Sequence, residues 1–304
     1  MLQWKPEFRF LNKKAGIILL GLLFLGGCNA VREETSRGKP ELSLPPITDE
    51  ATREHHPGKF IWHDLLTTDE IAAQTFYGEL FGWSFRAIGN YIEIYNGERK
   101  IGGILTIQPK TGRETPAHWL ASMSATDIDR AAEQVRSSGG KVINGPMHLG
   151  ERGRGVLIAD PSGAQLLLLH TTGGDPRDQE PGVGDWLWNE VWTLDPEPLV
   201  NFYKDLGQYE ETLKGDDYVV LINEGRWRAG VRTIKQEAYA GRWVPVVRVK
   251  DPAALLDRVR QLGGTVLLAP GEKDASADTA LISDNRGAML ILQRWTFPDE
   301  KEAR

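Results

Sequence analysis

Residues 60–69, Phe60-Ile61-Trp62-His63-Asp64-Leu65-Leu66-Thr67-Thr68-Asp69, lead eight residues on into Tyr77-Gly78-Glu79-Leu80-Phe81-Gly82-Trp83. The first stretch reads as a strand over 60–66. Thr68-Asp69 then opens a helix, with Ile71, Ala72, Thr75, Phe76 and Leu80 at helical spacing and Gly82 at its end. The passage recurs. Trp62, Asp64 and Phe76-Tyr77 reappear as Trp188, Glu190 and Phe202-Tyr203, an offset of 126, and Tyr91 reappears as Tyr218. Farther on, Trp119, Asp127, Arg136, Gly139-Gly140, Pro146 and Asp160 match Trp243, Asp251, Arg260, Gly263-Gly264, Pro270 and Asp284 at an offset of 124. Gly163-Ala164 and Gly287-Ala288 follow the two aspartates. Matched positions in the same order mean two copies of one domain. The copies are placed at 58–172 and 184–296, with a Gly-, Pro- and charge-rich linker at 173–183 and a charged tail at 297–304.

Each copy is itself a double unit. In the first copy, strands are expected over 85–88, 91–95 and 101–107, parted by Gly-Asn and Asn-Gly turns. A second half begins with a strand over 119–124. Asp127 caps a helix carrying Ile128, Ala131, Ala132 and Val135, which stops at Gly139-Gly140. Strands over 141–143, 155–159 and 165–170 complete it. Single helices among many strands predict an α+β class: two tandem domains, each of paired βαβββ modules forming a cup-shaped sheet with helices on its outer face.

The chain has 304 residues, 40% of them hydrophobic and 26% charged, with a formal net charge of -6. This composition suits a globular protein with one or two cores and gives no cationic footprint for nucleic acid. The single cysteine, Cys28, excludes an intrachain disulfide framework and thiolate-rich metal sites.

That cysteine has a particular place. Lys5, Arg9, Lys13 and Lys14 precede a run of apolar residues over 15–25, too short to span a bilayer comfortably, and the run ends in Leu25-Gly26-Gly27-Cys28. This resembles the lipobox of bacterial lipoproteins. The resemblance implies that residues 1–27 are a cleaved signal, that Cys28 is acylated, and that the mature chain is a membrane-anchored bacterial lipoprotein, periplasmic or at the cell surface. Asn29 favours the outer membrane. Losing residues 1–27 takes the net charge from -6 to -9, so anchoring rests on the acyl chains rather than on anionic headgroups. Residues 28–57, polar and without apolar period, read as a flexible tether, and His55-His56 at its end as solvated.

Thr67-Thr68-Asp69 with Tyr77-Gly78-Glu79-Leu80-Phe81-Gly82-Trp83, then Asp127-Ile128-Asp129-Arg130-Ala131, Gly139-Gly140 and Asp160-Pro161-Ser162-Gly163-Ala164, resemble the vicinal oxygen chelate superfamily of glyoxalases, dioxygenases and antibiotic-resistance proteins. The likeness is strongest to its tandem bacterial glyoxalase-like members. The resemblance implies metal ligands on the first, fifth and last strands of a domain. Those positions hold Trp62, the neighbourhood of Leu120, and Leu167 in copy one, and Trp188, Arg242-Trp243-Val244 and Ile291 in copy two. Indole and aliphatic side chains do not ligate divalent ions, so no metal or other cofactor is expected. A site in copy one could be rescued only from His118, Asp64, a slipped His63 and a further carboxylate.

Strand alternation puts Trp62, Asp64 and Leu66 on the cup wall and Ile61, His63 and Leu65 toward the helices. The candidate ligand-binding residues are Trp62, Asp64, Tyr91, Glu93, Trp188, Glu190 and Tyr218. Asp64 and Glu190 either bond a Trp N–H or backbone, or take part in chemistry. His118 is the best candidate for a general base, with Asp64 beside it. Three readings follow. The first is a metal-free, membrane-anchored module binding a small aromatic or hydrophobic molecule. The second is a lyase or dioxygenase with a non-standard site in copy one. The third is a structural, protein-binding lipoprotein. Whether catalysis occurs is left open. Nucleic acid is not an expected partner, and the two domains are expected to pair within the chain.

Overall fold

The computed structural model describes residues 42–109, 115–213, 215, 217–272 and 276–297. The signal segment, Cys28, the first part of the tether and the tail beyond Phe297 lie outside the described residues.

The first sheet is built from β1 (Phe60–Thr67), α1 (Glu70–Phe81), β2 (Ser84–Ile88), β3 (Tyr91–Asn96) and β4 (Arg99–Thr106), then β5 (His118–Ser124), α2 (Ile128–Ser137), β6 (Lys141–His148), β7 (Gly153–Ala159) and β8 (Gln165–Thr171). Its strand order is β2-β3-β4-β1-β5-β8-β7-β6. The second repeats it: β9 (Trp186–Thr193), α3 (Pro196–Gly207), β10 (Glu210–Leu213), β11 (Tyr218–Asn223), β12 (Arg226–Thr233), β13 (Arg242–Val249), α4 (Pro252–Gln261), β14 (Thr265–Leu268), β15 (Thr279–Ser283) and β16 (Met289–Arg294). The order β10-β11-β12-β9-β13-β16-β15-β14 is the same. Both are α+β domains, as expected. In each, the two βαβββ modules meet at their first strands, which pair antiparallel as β1 with β5 and β9 with β13.

Local chemistry sets the element ends. Asp69 accepts from the Ala72 amide, Asp127 from Asp129 and Arg130, and Asp251 from Ala253, each satisfying a donor that a helix start leaves free. Gly82 closes α1 in the left-handed region at φ 74°.

The helices lie between the two sheets. α2 residues Ile128, Ala132 and Val135 share one core with Leu199, Phe202 and Tyr203 of α3, and α1 residues Phe76, Tyr77 and Leu80 share another with Leu256 and Val259 of α4. The pairing is reciprocal. Tyr77 donates to Asp284 at 3.0 Å and Tyr203 to Asp160 at 2.8 Å, each crossing from one domain to the other. Trp119 and Trp243 donate to those same tyrosine oxygens. His63 meets Asn189, its counterpart at the repeat offset, at 2.9 Å across the seam.

Five expectations are corrected. Ile61 faces the cup rather than the helices, because the register slips between Phe60 and Trp62 and a bulge shifts alternation by one residue. The tether does not run to residue 57. Leu44 and Ile47 are 4% and 2% exposed and belong to the cup-side core of the first sheet. His55 stacks on His170 at 4.7 Å, so it is not simply solvated. The linker, too, is tied down. Asp175 is fully buried and accepts from the His56 amide, Ser124 and Thr171. Phe297, placed in the tail, packs under the Arg248 guanidinium.

Candidate functional site

The faces turned away from the helices form two cups, and the repeated carboxylate sits at the floor of each. In cup 1, Asp64 accepts from the Trp62 indole at 3.1 Å, from the Tyr91 hydroxyl at 2.5 Å and from Arg152 at 2.8 Å. In cup 2, Glu190 accepts from the Trp192 indole at 3.2 Å and the Tyr218 hydroxyl at 2.9 Å, and pairs with Arg232 through both carboxylate oxygens. The tyrosines reach these carboxylates because a glycine lies beneath each. A Cβ on Gly103 would stand 1.8 Å from the Tyr91 oxygen, and one on Gly230 would stand 1.9 Å from that of Tyr218. Burial raises the Glu190 pKa, but the Arg232 charge and hydrogen bonds outweigh it and hold the carboxyl below its ordinary value.

The two cups differ at their mouths. Residues 42–49 lie across cup 1. Leu44 bonds Leu149 and Arg152 through the backbone, Arg152 donates to the Pro45 carbonyl, and Lys100 donates to that of Pro46. Lys100 also pairs with Glu93 and Asp49, and Arg86 with Glu93. Trp62, Asp64, Tyr91 and Glu93 are thereby brought together and covered, each at most 3% exposed. In cup 2 no strap of this kind lies over the sheet among the described residues. Trp188, Tyr218, Arg232 and Met289 are half-buried there. Trp188 stacks on the exposed Trp227 at 5.7 Å, and its buried indole nitrogen has no hydrogen-bond partner among the described residues.

His118 shares the cup 1 face with Asp64 but stands level with Leu66, two residues along from the Asp64–Leu120 pair. Burial lowers its pKa and its ring bonds the Pro116 backbone. The structure therefore does not join His118 and Asp64 into an acid–base pair. His63 lies on the opposite face, against Trp186, and burial lowers its pKa to about 4.

The metal positions can be tested on the register. β1, β5 and β8 align Trp62, Ser122 and Leu167 in one row, so Ser122 rather than Leu120 stands beside Trp62. The matching row of the second sheet is Trp188, Val246 and Ile291. An indole with a hydroxyl or aliphatic groups lacks the nitrogen and carboxylate donors that divalent ions take. Among the described residues, no group of three or more His, Cys, Asp or Glu side chains is placed to hold a metal. The fold's usual metal does not fit these residues.

Reading the sequence missed Arg152, Arg232, Arg242 and the strap. Arg232 had a legible signal: it follows Gly230 by two residues on a strand, as Trp192 follows Glu190. Arg152 lies 88 residues from Asp64 and had none.

Comparison with known proteins agrees with the fold. Residues 63–168 match the model of the Glyoxalase/Bleomycin resistance protein/Dioxygenase superfamily. CFP32 of Mycobacterium tuberculosis, a protein named as a glyoxylase, is 27% identical over 248 residues, covering 78% of this chain and 95% of that one. The anthracycline biosynthesis protein DauV of Streptomyces sp. is 27% identical over 263 residues, covering 80% and 96%. The Mn(II)-bound glyoxalase from Novosphingobium aromaticivorans superposes with a TM-score of 0.55 at 14% identity, over 79% of this chain and 83% of that one. The first copy thus carries the match to the Glyoxalase/Bleomycin resistance protein/Dioxygenase superfamily, over residues 63–168, and the second sheet repeats its strand order and doubled βαβββ modules, an architecture consistent with two such domains in tandem.

Proposed function

We propose that the chain is a lipid-anchored protein that binds a small, flat molecule in cup 2 without a metal. The observation that carries this reading is the contrast between the cups. Cup 1 is filled by the chain's own residues 42–49, whereas the aromatic wall of cup 2, Trp188 and Tyr218, is half-buried above a satisfied Glu190–Arg232 pair. Half-buried aromatic walls with a few fixed polar groups are what small-molecule sites offer. Absent ligand chemistry at the metal positions of both sheets supports binding over metal-dependent turnover.

The amino-terminal pattern supports the anchor. With the strap beginning at Leu42, 13 residues lie between it and Cys28, and a chain of that length reaches at most about 45 Å. On this reading the domains sit close to a bacterial membrane, periplasmic or at the cell surface.

The test is a tryptophan-fluorescence titration of the mature protein with a panel of flat aromatic compounds. Trp188→Ala is expected to weaken the response, and Trp62→Ala, under the strap, to leave the apparent affinity unchanged. The reverse pattern would refute cup 2 as the site. Palmitate labelling in cells, expected for wild type and lost in Cys28→Ala, checks the anchor; equal labelling of the variant would refute it.

A further inference from the structure

Cup 2 carries two guanidinium groups on one row. Arg232 of β12 and Arg242 of β13 each stand in register with Trp192 of the intervening β9. Register partners on neighbouring strands project from the same face, so all three side chains stand on the cup side, the two arginines about 10 Å apart at the backbone. Trp192 confirms the face, since it packs with Val244, Val246 and Ile291 in the cup cluster.

The two arginines are in different electrostatic states. Arg232 is compensated in full by Glu190. Among the described residues Arg242 has only neutral partners: it donates to the Ala238 carbonyl at 2.6 Å and to the Met289 sulfur at 3.3 Å, and lies over the Tyr239 ring at 5.5 Å. No carboxylate pairs with it among the described residues. Its Nε is buried and unpartnered, as is Oε1 of Gln236 on the loop that crosses this end of the cup. Burial without a counter-charge lowers its pKa, unlike Arg232, whose carboxylate raises it.

A partly buried, uncompensated cation is unfavourable unless something bonds it. A guanidinium's fork matches a carboxylate in two parallel hydrogen bonds. Beside Arg242 stand aromatic and apolar groups: Tyr239 and Met289 touch it, and both, with Ala240, are partly buried members of the cup cluster. From this juxtaposition we infer that the ligand of cup 2 is an aromatic carboxylic acid, its carboxylate bound by Arg242 and its flat body against Tyr239 and Met289. The inference rests on cup 2 being the binding cup and adds the charge of what binds there. The residue at this place in the first sheet is His118, so the two cups of one repeat differ in charge at the same position.

The experiment is isothermal titration calorimetry of the mature protein with 2-naphthoate and with its uncharged amide, 2-naphthamide, on wild type, Arg242→Gln and Arg242→Lys. Circular dichroism melts confirm that each variant is folded. Wild type is expected to bind the acid about tenfold or more tightly than the amide. Arg242→Gln should erase that preference by weakening the acid alone, and Arg242→Lys should restore part of it. Equal binding of acid and amide to wild type overturns the charge inference and leaves cup 2 as a binding cup. A preference for the acid that survives in Arg242→Gln places the anion elsewhere and overturns it as well. Binding of neither probe counts against the cup 2 reading and, with it, this inference.

Discussion

His63 shows how one side chain's environment outweighs its chemistry. A histidine on the first strand of this fold invites a ligand or base role, yet its ring faces the seam, bonded to Asn189 and stacked on Trp186. Burial lowers its pKa from 6.5 to about 4. Because the folded value lies below the unfolded one, the unfolded chain takes up the proton first as pH falls. Stability from this group is therefore complete above pH 6.5 and lost as pH falls toward 4. The loss reaches about 3 kcal/mol if the ring stays neutral throughout that window. Urea unfolding at a series of pH values is expected to show this slope, and His63→Gln to flatten it. Identical slopes for the two proteins would show that His63 is not the group responsible. Asp64 and Glu190 are the opposite case. Their bond to a tryptophan N–H was among the roles legible beforehand, because a carboxylate on an apolar wall has to find a donor. Which tryptophan supplies it was not legible: the donor is two residues before Asp64 but two residues after Glu190.

The strap of residues 42–49 reverses a compositional expectation. Pro45-Pro46, Thr48 and Asp49 look like linker, and in isolation they are. Leu44 and Ile47 are spaced to reach the Trp62 cluster, and the prolines' carbonyls meet Arg152 and Lys100. Two apolar anchors give a short segment enough buried area to order it where composition alone would not. Leu44→Ala with Ile47→Ala is expected to destabilise the protein by about 4 kcal/mol or more, from the cavities left at two buried sites. It should also raise acrylamide quenching at Trp62. A stability within about 0.5 kcal/mol of wild type would mean that the strap is not seated in cup 1. The strands and helices around it were far more legible. Asp69, Asp127 and Asp251 announce helix starts, and Gly-containing turns part the strands. β6 runs to His148 rather than stopping at residue 143, because its pairing with β7 continues through irregular register across Asn144 and Met147.

The two domains fold as one body because each core draws on both. Phe76 of α1 lies so close to Gly264 that a Cβ there would stand 2.7 Å from its ring, and Phe202 of α3 lies at 2.9 Å from the same position on Gly140. The repeated Gly-Gly is thus room for a phenyl ring from the other copy. Thermal unfolding is expected to be a single transition, and Tyr203→Phe to lower stability by about 1 kcal/mol without splitting it. Two separable transitions in wild type would contradict the shared cores. Repeat, class and strand pattern were written in local sequence, since periodicity, caps and turns depend on residues a few positions apart. The amino-terminal pattern of charge, apolar residues and one cysteine is equally local. Long-range pairing needed the folded chain. Tyr77 with Asp284 spans 207 residues, and Arg152 with Asp64 spans 88, and no local pattern encodes which distant groups will meet. Nor did local sequence say which of the two cups would be covered. Folding buried one beneath the chain's own segment and left the other with an uncompensated arginine, because burial and charge balance are properties of everything packed around a site.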